Sequence, residues 1–187
     1  MSLCNIAFKE WAVICEALAR GQQTIILRKG GIHEGRDGFR VANNQFWLLP
    51  TRFHASTDAL VPAATELLTA AEIMNAEGAF WVRHFVVVER VIELKTEEAA
   101  LALGGLHIWS ESTVRQRFHY RQPGLYCLVV RVFAAPSATR FEDSPPIAGC
   151  RSWVKLPQAL PTELLTPVLD EATFAQTVER VRRQCLK

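Results

Sequence analysis

The chain has 187 residues, of which 49% are hydrophobic and 21% charged, with a formal net charge of +2. That suits one globular α+β domain, since a chain of this size buries about 70% of its unfolded surface around a single core. It excludes a membrane-spanning helix, because no apolar run approaches about 20 residues; the small net charge rules out nothing by itself, but a general nucleic-acid coat is usually more basic, so any anion binding is local.

The N-terminus lacks the basic start and apolar run of a secretory signal. Cys4, Cys15, Cys127, Cys150 and Cys185 are odd in number and widely spaced. They form no Cys-x-x-Cys pair, so neither a zinc ribbon nor a redox motif is indicated. Free thiols of this kind point to a reducing cytoplasm.

Asn5 is placed to cap a first helix running to about Arg20, with Trp11, Ile14, Cys15 and Leu18 on one face. Gly21 supplies its left-handed stop. Thr24 to Leu27 reads as a short buried strand, and Phe46 to Leu49 as the next, ended by Pro50. A helix is expected from Ser56 or Thr57 to about Asn75, irregular near Pro62.

Ala79 to Leu94 is the longest strand signal. It is apolar on both faces and so central and bent, as barrel strands are. Thr96 caps a short helix with Glu97 and Glu98 in its first turn. Ser110 caps another, with Val114 and Phe118 turned inward. Gly124 to Ala134 is a strong strand, Ser144 to Gly149 a loop, and Cys150 to Val154 a short closing strand. Pro157 and Pro161 mark a linker, and a last helix starts near Glu171.

These elements predict a small mixed β-barrel over residues 1–157, with peripheral helices and a helical extension over residues 158–187.

The stretch from Thr24 to His54 draws most attention. Two apolar runs bracket a loop with Arg28, Lys29, Gly30, Gly31, His33, Glu34, Arg36 and Asp37. Adjacent glycines let a partner approach the backbone closely. Arg28 and Lys29 suit an anion cradle, or equally a charged hairpin turn. The Walker spacing for nucleotide phosphates is missing. His54 suits ligand binding or proton transfer near neutral pH and is equally placed to cap the helix that follows.

The five histidines show no metal-ligand spacing, and no cofactor is indicated. Cys150, beside Arg151, reads as a buried small residue. Trp109 and Trp153 lie beside polar residues at element boundaries, where a ring can stack on a base. Arg115 and Arg117, on a short helix, suit phosphate binding or simply a solvated helix face, and the second reading is favoured.

Four stretches together resemble a bacterial family of unknown function, common in cyanobacteria. They are Phe8-Lys-Glu-Trp-Ala12, Leu27-Arg-Lys-Gly-Gly-Ile32, Leu49-Pro-Thr-x-x-His54 and Gly149-Cys-Arg-Ser-Trp-Val154. More distantly, residues 78–100 with the strand at Leu125 to Phe133 resemble the second half of ASCH and EVE domains. These are PUA-like barrels, and members recognise RNA, modified nucleobases or related ligands in a cleft. The ASCH signature Gly-x-Lys-x-x-Glu-x-Arg is absent. The stretch Leu27 to Glu34 occupies its place with different spacing, so no ligand residue transfers by motif.

The expectation is a binding module for RNA, DNA or a nucleotide-like ligand. Its site would gather Arg28, Lys29, Gly30, Gly31, His54, Trp109, Arg151 and Trp153 on one concave surface. The alternative is a metal-dependent nuclease of the PD-(D/E)XK kind, on the strength of Glu93-Leu-Lys95. Glu77 and Glu89 are poor partner carboxylates for it, because Glu89 shares a continuous strand with Glu93.

Overall fold

A computed structural model of the chain describes residues 2–29, 43–51, 57–73, 79–142, 147 and 151–185. The chain opens on a strand where a helix was expected. β1 (Leu3–Trp11) precedes α1 (Ala12–Ala19). The helical spacing of Ile14, Cys15 and Leu18 is real, and all three are buried. It does not extend back to Asn5, because Ala7 and Phe8 bury against opposite faces of a sheet, as successive strand residues do.

Next come β2 (Ile25–Arg28) and β3 (Gln45–Thr51). Two short 3-10 turns at Thr57–Ala59 and Pro62–Ala64 lead into α2 (Thr65–Ile73). Pro62 thus opens a tight turn instead of sitting inside one long helix. β4 (Ala79–Leu94) spans the expected residues. α3 (Glu97–Ala102) is capped by the Thr96 hydroxyl, which accepts from Ala99 N–H at 3.2 Å. α4 (Glu111–His119) is capped in the same way by Ser110.

β5 (Leu125–Glu142) outruns its sequence signal and pairs with β4 along almost the whole of both strands. The register shifts twice: between Val82 and His84 the extra residues lie in β5, and between Val88 and Arg90 the extra residue lies in β4, and such an extra residue bends the strand that carries it. β6 (Trp153–Pro161), the two-residue β7 (Thr166–Pro167) and α5 (Glu171–Cys185) complete the chain. The expected linker at Pro157 to Pro161 is therefore the second half of a strand.

All five expected strands share one sheet, but it is not a closed barrel. Its order is β2-β5-β4-β3-β1-β6, with β7 also on β5. β2 and β6 form the two ends, and among the described residues they do not pair. β6 carries Pro157 and Pro161, which donate no hydrogen bond to a further neighbour, so it suits an edge.

The sheet is packed on both faces. Phe46 and Leu48 join the larger cluster with Ile14, Leu18 and Leu125. Trp47 and Leu49 join a smaller one with Phe85, Phe141 and Leu160. Each such large buried side chain contributes about 1.5–3 kcal/mol. α1 lies against the larger cluster, and α5 sends Phe174 and Val181 inward. No described helix is long and apolar enough to cross a membrane.

Candidate functional site

β1 and β3 run parallel, with Glu10 opposite Pro50 and Trp11 opposite Thr51, so their C-terminal ends lie together. β6 is antiparallel to β1 and begins at the same end, with Trp153 opposite Phe8. A backbone hydrogen bond from Lys9 N–H to the Ser152 carbonyl, 2.8 Å, fixes the start of β6 there. The Thr51 hydroxyl donates to the Glu10 carbonyl at 3.1 Å.

Arg28, the last residue of β2, reaches this point from the opposite end of the sheet. Its Nη2 donates to Ser152 Oγ at 2.6 Å, and its Nη1 to Glu10 Oε2 at 3.4 Å. The guanidinium lies 4.6 Å from the centre of the Phe8 ring. The sheet thus curls until one side chain spans the gap that backbone pairing leaves open.

Glu10 is only 3% exposed. Its other oxygen accepts from the Trp11 N–H at 2.9 Å. The buried carboxylate therefore has a donor on each side, as a buried charge requires.

Arg117 enters from α4. Its guanidinium lies 3.8 Å from the centre of the Trp109 ring and 5.6 Å from that of Trp11. The two indoles meet edge to face at 4.8 Å. Burial pulls the Arg117 pKa down; Glu10 pushes it up, and the Arg28 charge lowers it further. Among the described residues Arg117 has no ion-pair partner and no hydrogen-bond acceptor. A desolvated cation over indole gains about 2 kcal/mol, yet a guanidinium carries five donors that want oxygen.

His107 lies close by. Its Nδ1 accepts from the backbone N–H of Trp109 at 3.2 Å, which leaves the ring proton on Nε2, a buried atom without a partner among the described residues. Burial first, and the Arg117 charge second, lower its pKa to about 4.

Lys29 does something else. Its ammonium donates to the carbonyls of Phe118 and Gly124, each at 2.7 Å, and to that of Gln122. These carbonyls lie in the last turn of α4 and just beyond it, where helix carbonyls lack partners and a cation suits the dipole. Lys29 thereby ties the α4 end, and with it Arg117, to the end of β2.

Of the expected site residues, Arg28 and Trp109 belong to this cluster. Trp109 is 3% exposed and covered by Trp11 and Arg117, so it offers no open face to a base. Trp153 packs on Phe8 and Phe46, at 4.7 and 5.0 Å between ring centres. Arg151 is exposed beside Ser152. Gly30, Gly31 and His54 lie outside the described residues, as do Cys150 and most of the expected loop at Ser144 to Gly149.

Glu10 carries no signal in the sequence, Trp11 reads there only as part of a helical face, and phosphate binding at Arg117 is the less favoured of its two readings. Arg115 is indeed a surface residue, paired with Glu97 and Glu111, but Arg117 is not its equivalent. It stands three residues after the buried Val114, which puts it on the edge of the inward face.

A PD-(D/E)XK nuclease needs clustered carboxylates on neighbouring strands. Glu93 and Lys95 instead form a surface pair at 3.5 Å, with side chains 52% and 75% exposed. Among the described residues no three metal-ligating side chains come together. A narrow crevice under α5, lined by Thr24, Arg131, Val168 and Phe174, shares no residue with the Arg28–Arg117 cluster.

No curated protein matches the chain. In solved structures it is similar to ASCH from Zymomonas mobilis, with 12% identity over 93% of this chain and 92% of that one, and a TM-score of 0.46. A single-substitution variant of the same protein gives 12% identity, coverage of 93% and 94%, and a TM-score of 0.46. A family described as "Domain of unknown function (DUF1802)" matches residues 7–180, and the chain belongs to it.

Proposed function

We propose that this protein is a binding module that holds a phosphate of RNA, DNA or a nucleotide-like ligand at the end of the sheet, between Arg28 and Arg117. One observation carries the proposal. Arg117 is a largely buried cation with aromatic faces on one side and, among the described residues, no oxygen on its donors. Keeping a charge out of water without a partner is costly, and an anionic ligand supplies what is missing. Arginine suits this role because its planar fork matches phosphate oxygens two at a time.

In this reading Arg151, exposed next to Ser152, lies on the rim of the same site. Gly30, Gly31 and His54 remain in the proposal on sequence grounds. Gly30 follows Lys29 directly, and His54 is three residues beyond Thr51. Both segments leave the described chain at this end of the sheet.

The test is direct. Trp11 and Trp109 flank the guanidinium, so binding of a short single-stranded oligonucleotide should change intrinsic fluorescence. Arg117→Ala should weaken that binding about tenfold or more and reduce its salt dependence by about one phosphate contact. Unchanged affinity and salt slope in a folded Arg117→Ala protein would refute the proposal.

A further inference from the structure

Resting on that proposed site, we infer that Glu10 sets its charge selectivity, so that it takes a singly charged phosphodiester in preference to a doubly charged terminal phosphate.

The argument is a charge count at one place. Arg28 and Arg117 bring two positive charges. Glu10 brings one negative charge, buried to 3% exposure and in contact with Arg28 at 3.4 Å. Lys29 adds little, because its ammonium is spent on the carbonyls of Phe118, Gln122 and Gly124 at a helix C-terminus, where partial negative charge offsets it. Among the described residues the buried part of the site is left with one uncompensated positive charge; Arg151, on the rim, is exposed and its charge is screened by water and salt. An internal phosphodiester carries one negative charge, whereas a terminal phosphate carries about −1.5 to −2 at neutral pH. The second charge of a monoester would face the Glu10 carboxylate in a place of low water content, where like charges repel strongly.

The Glu10 carboxylate is held on both oxygens, one by the Trp11 N–H and the other by Arg28. It sits where β1 gives way to α1, so it is fixed by the backbone and cannot swing away as a surface glutamate would.

Two probes that differ by one methyl group and one phosphate charge test this. One is the methyl ester of thymidine 5′-monophosphate, a singly charged diester; the other is thymidine 5′-monophosphate. Wild-type protein should bind the diester more tightly. Glu10→Gln keeps the shape and hydrogen-bonding reach of the side chain but removes its charge, so the ratio of the two affinities should move toward the monoester by about tenfold or more. If that variant does not fold, Ser152→Asp adds a carboxylate beside Arg28 and should move the ratio further toward the diester. A ratio unaffected by a folded charge variant, or a wild-type preference for the monoester, would overturn the inference while leaving the phosphate site standing. No binding of either probe, together with an Arg117→Ala protein that behaves as wild type, would overturn both.

Discussion

Removing the Lys29 ammonium should destabilise the fold by about 2–3 kcal/mol. In Lys29→Met the aliphatic stem remains and three carbonyl oxygens lose their donor: those of Phe118 and Gly124, both partly buried, and the more exposed one of Gln122. A hydrogen bond to a charged group contributes about 1.5–3 kcal/mol, and a cation at a helix C-terminus about 0.3–1 kcal/mol more. The Gln122 oxygen can turn to water, and the Phe118 oxygen keeps the Gly124 N–H at 3.1 Å. The net loss is therefore well below the sum. For a chain of this length it lowers Tm by about 4–12 °C. Urea unfolding followed by far-UV circular dichroism measures the loss, with Lys95→Met as control, since that side chain is 75% exposed. If Lys29 serves a ligand and not the α4 turn, Lys29→Met should instead unfold like the control and lose binding. A cost under about 0.5 kcal/mol would refute the structural role.

His107 and His84 are both held down to about 4, chiefly by burial. Both are neutral in the fold, while the unfolded chain takes up protons below pH about 6.5, so stability should fall as pH drops from about 6.5 toward 4. The shift at His107 corresponds to about 3 kcal/mol, with less from the more exposed His84. A urea midpoint unchanged between pH 7 and pH 5, or an equal fall in His107→Gln, would contradict this. Gly21→Ala should cost about 1–3 kcal/mol by thermal unfolding: the new methyl would lie 2.5 Å from Leu169 Cδ2, at φ +67°. Gly105→Ala, at φ +78° with nothing within 4 Å of its methyl, should cost less; equal losses would show that packing against Leu169 does not matter.

Much of the fold was legible because it is local. The alternation in Ala79 to Leu94, the caps at Thr96 and Ser110 and the start of α5 are set by residues within a few positions of each other. The failures are non-local. β1 looked helical because the true period of α1 was extended backward over Asn5 to Trp11. Only its pairing with β3 and β6 makes that stretch a strand. The barrel failed at β6, whose prolines were taken for a linker instead of an edge. The site followed the same rule. Arg28 stood out beside two glycines, but the partners that define its role are 18 and 124 residues away. Arg117 looked like Arg115 until Trp11, from the far end of the chain, was set beside it.

The arrangement also explains why a four-residue strand ends in two charges. Among the described residues β2 pairs with β5 alone, and so short a strand gains little by itself. Arg28 ties it across the open sheet to β1 and the start of β6, and Lys29 ties it to the end of α4. The two residues that most resemble an anion cradle in the sequence thus hold three parts of the fold together. Substituting either one mixes a structural loss with any loss of binding. Arg117 is different, because its guanidinium bonds to no described residue and rests on aromatic faces. If a phosphate binds here, Arg117→Lys keeps the charge and loses the planar fork. That variant should retain most of the stability and part of the salt dependence while losing affinity. A protein whose affinity falls only in proportion to stability, across variants at Arg28, Lys29 and Arg117 alike, would mean that these arginines close the sheet and do nothing more.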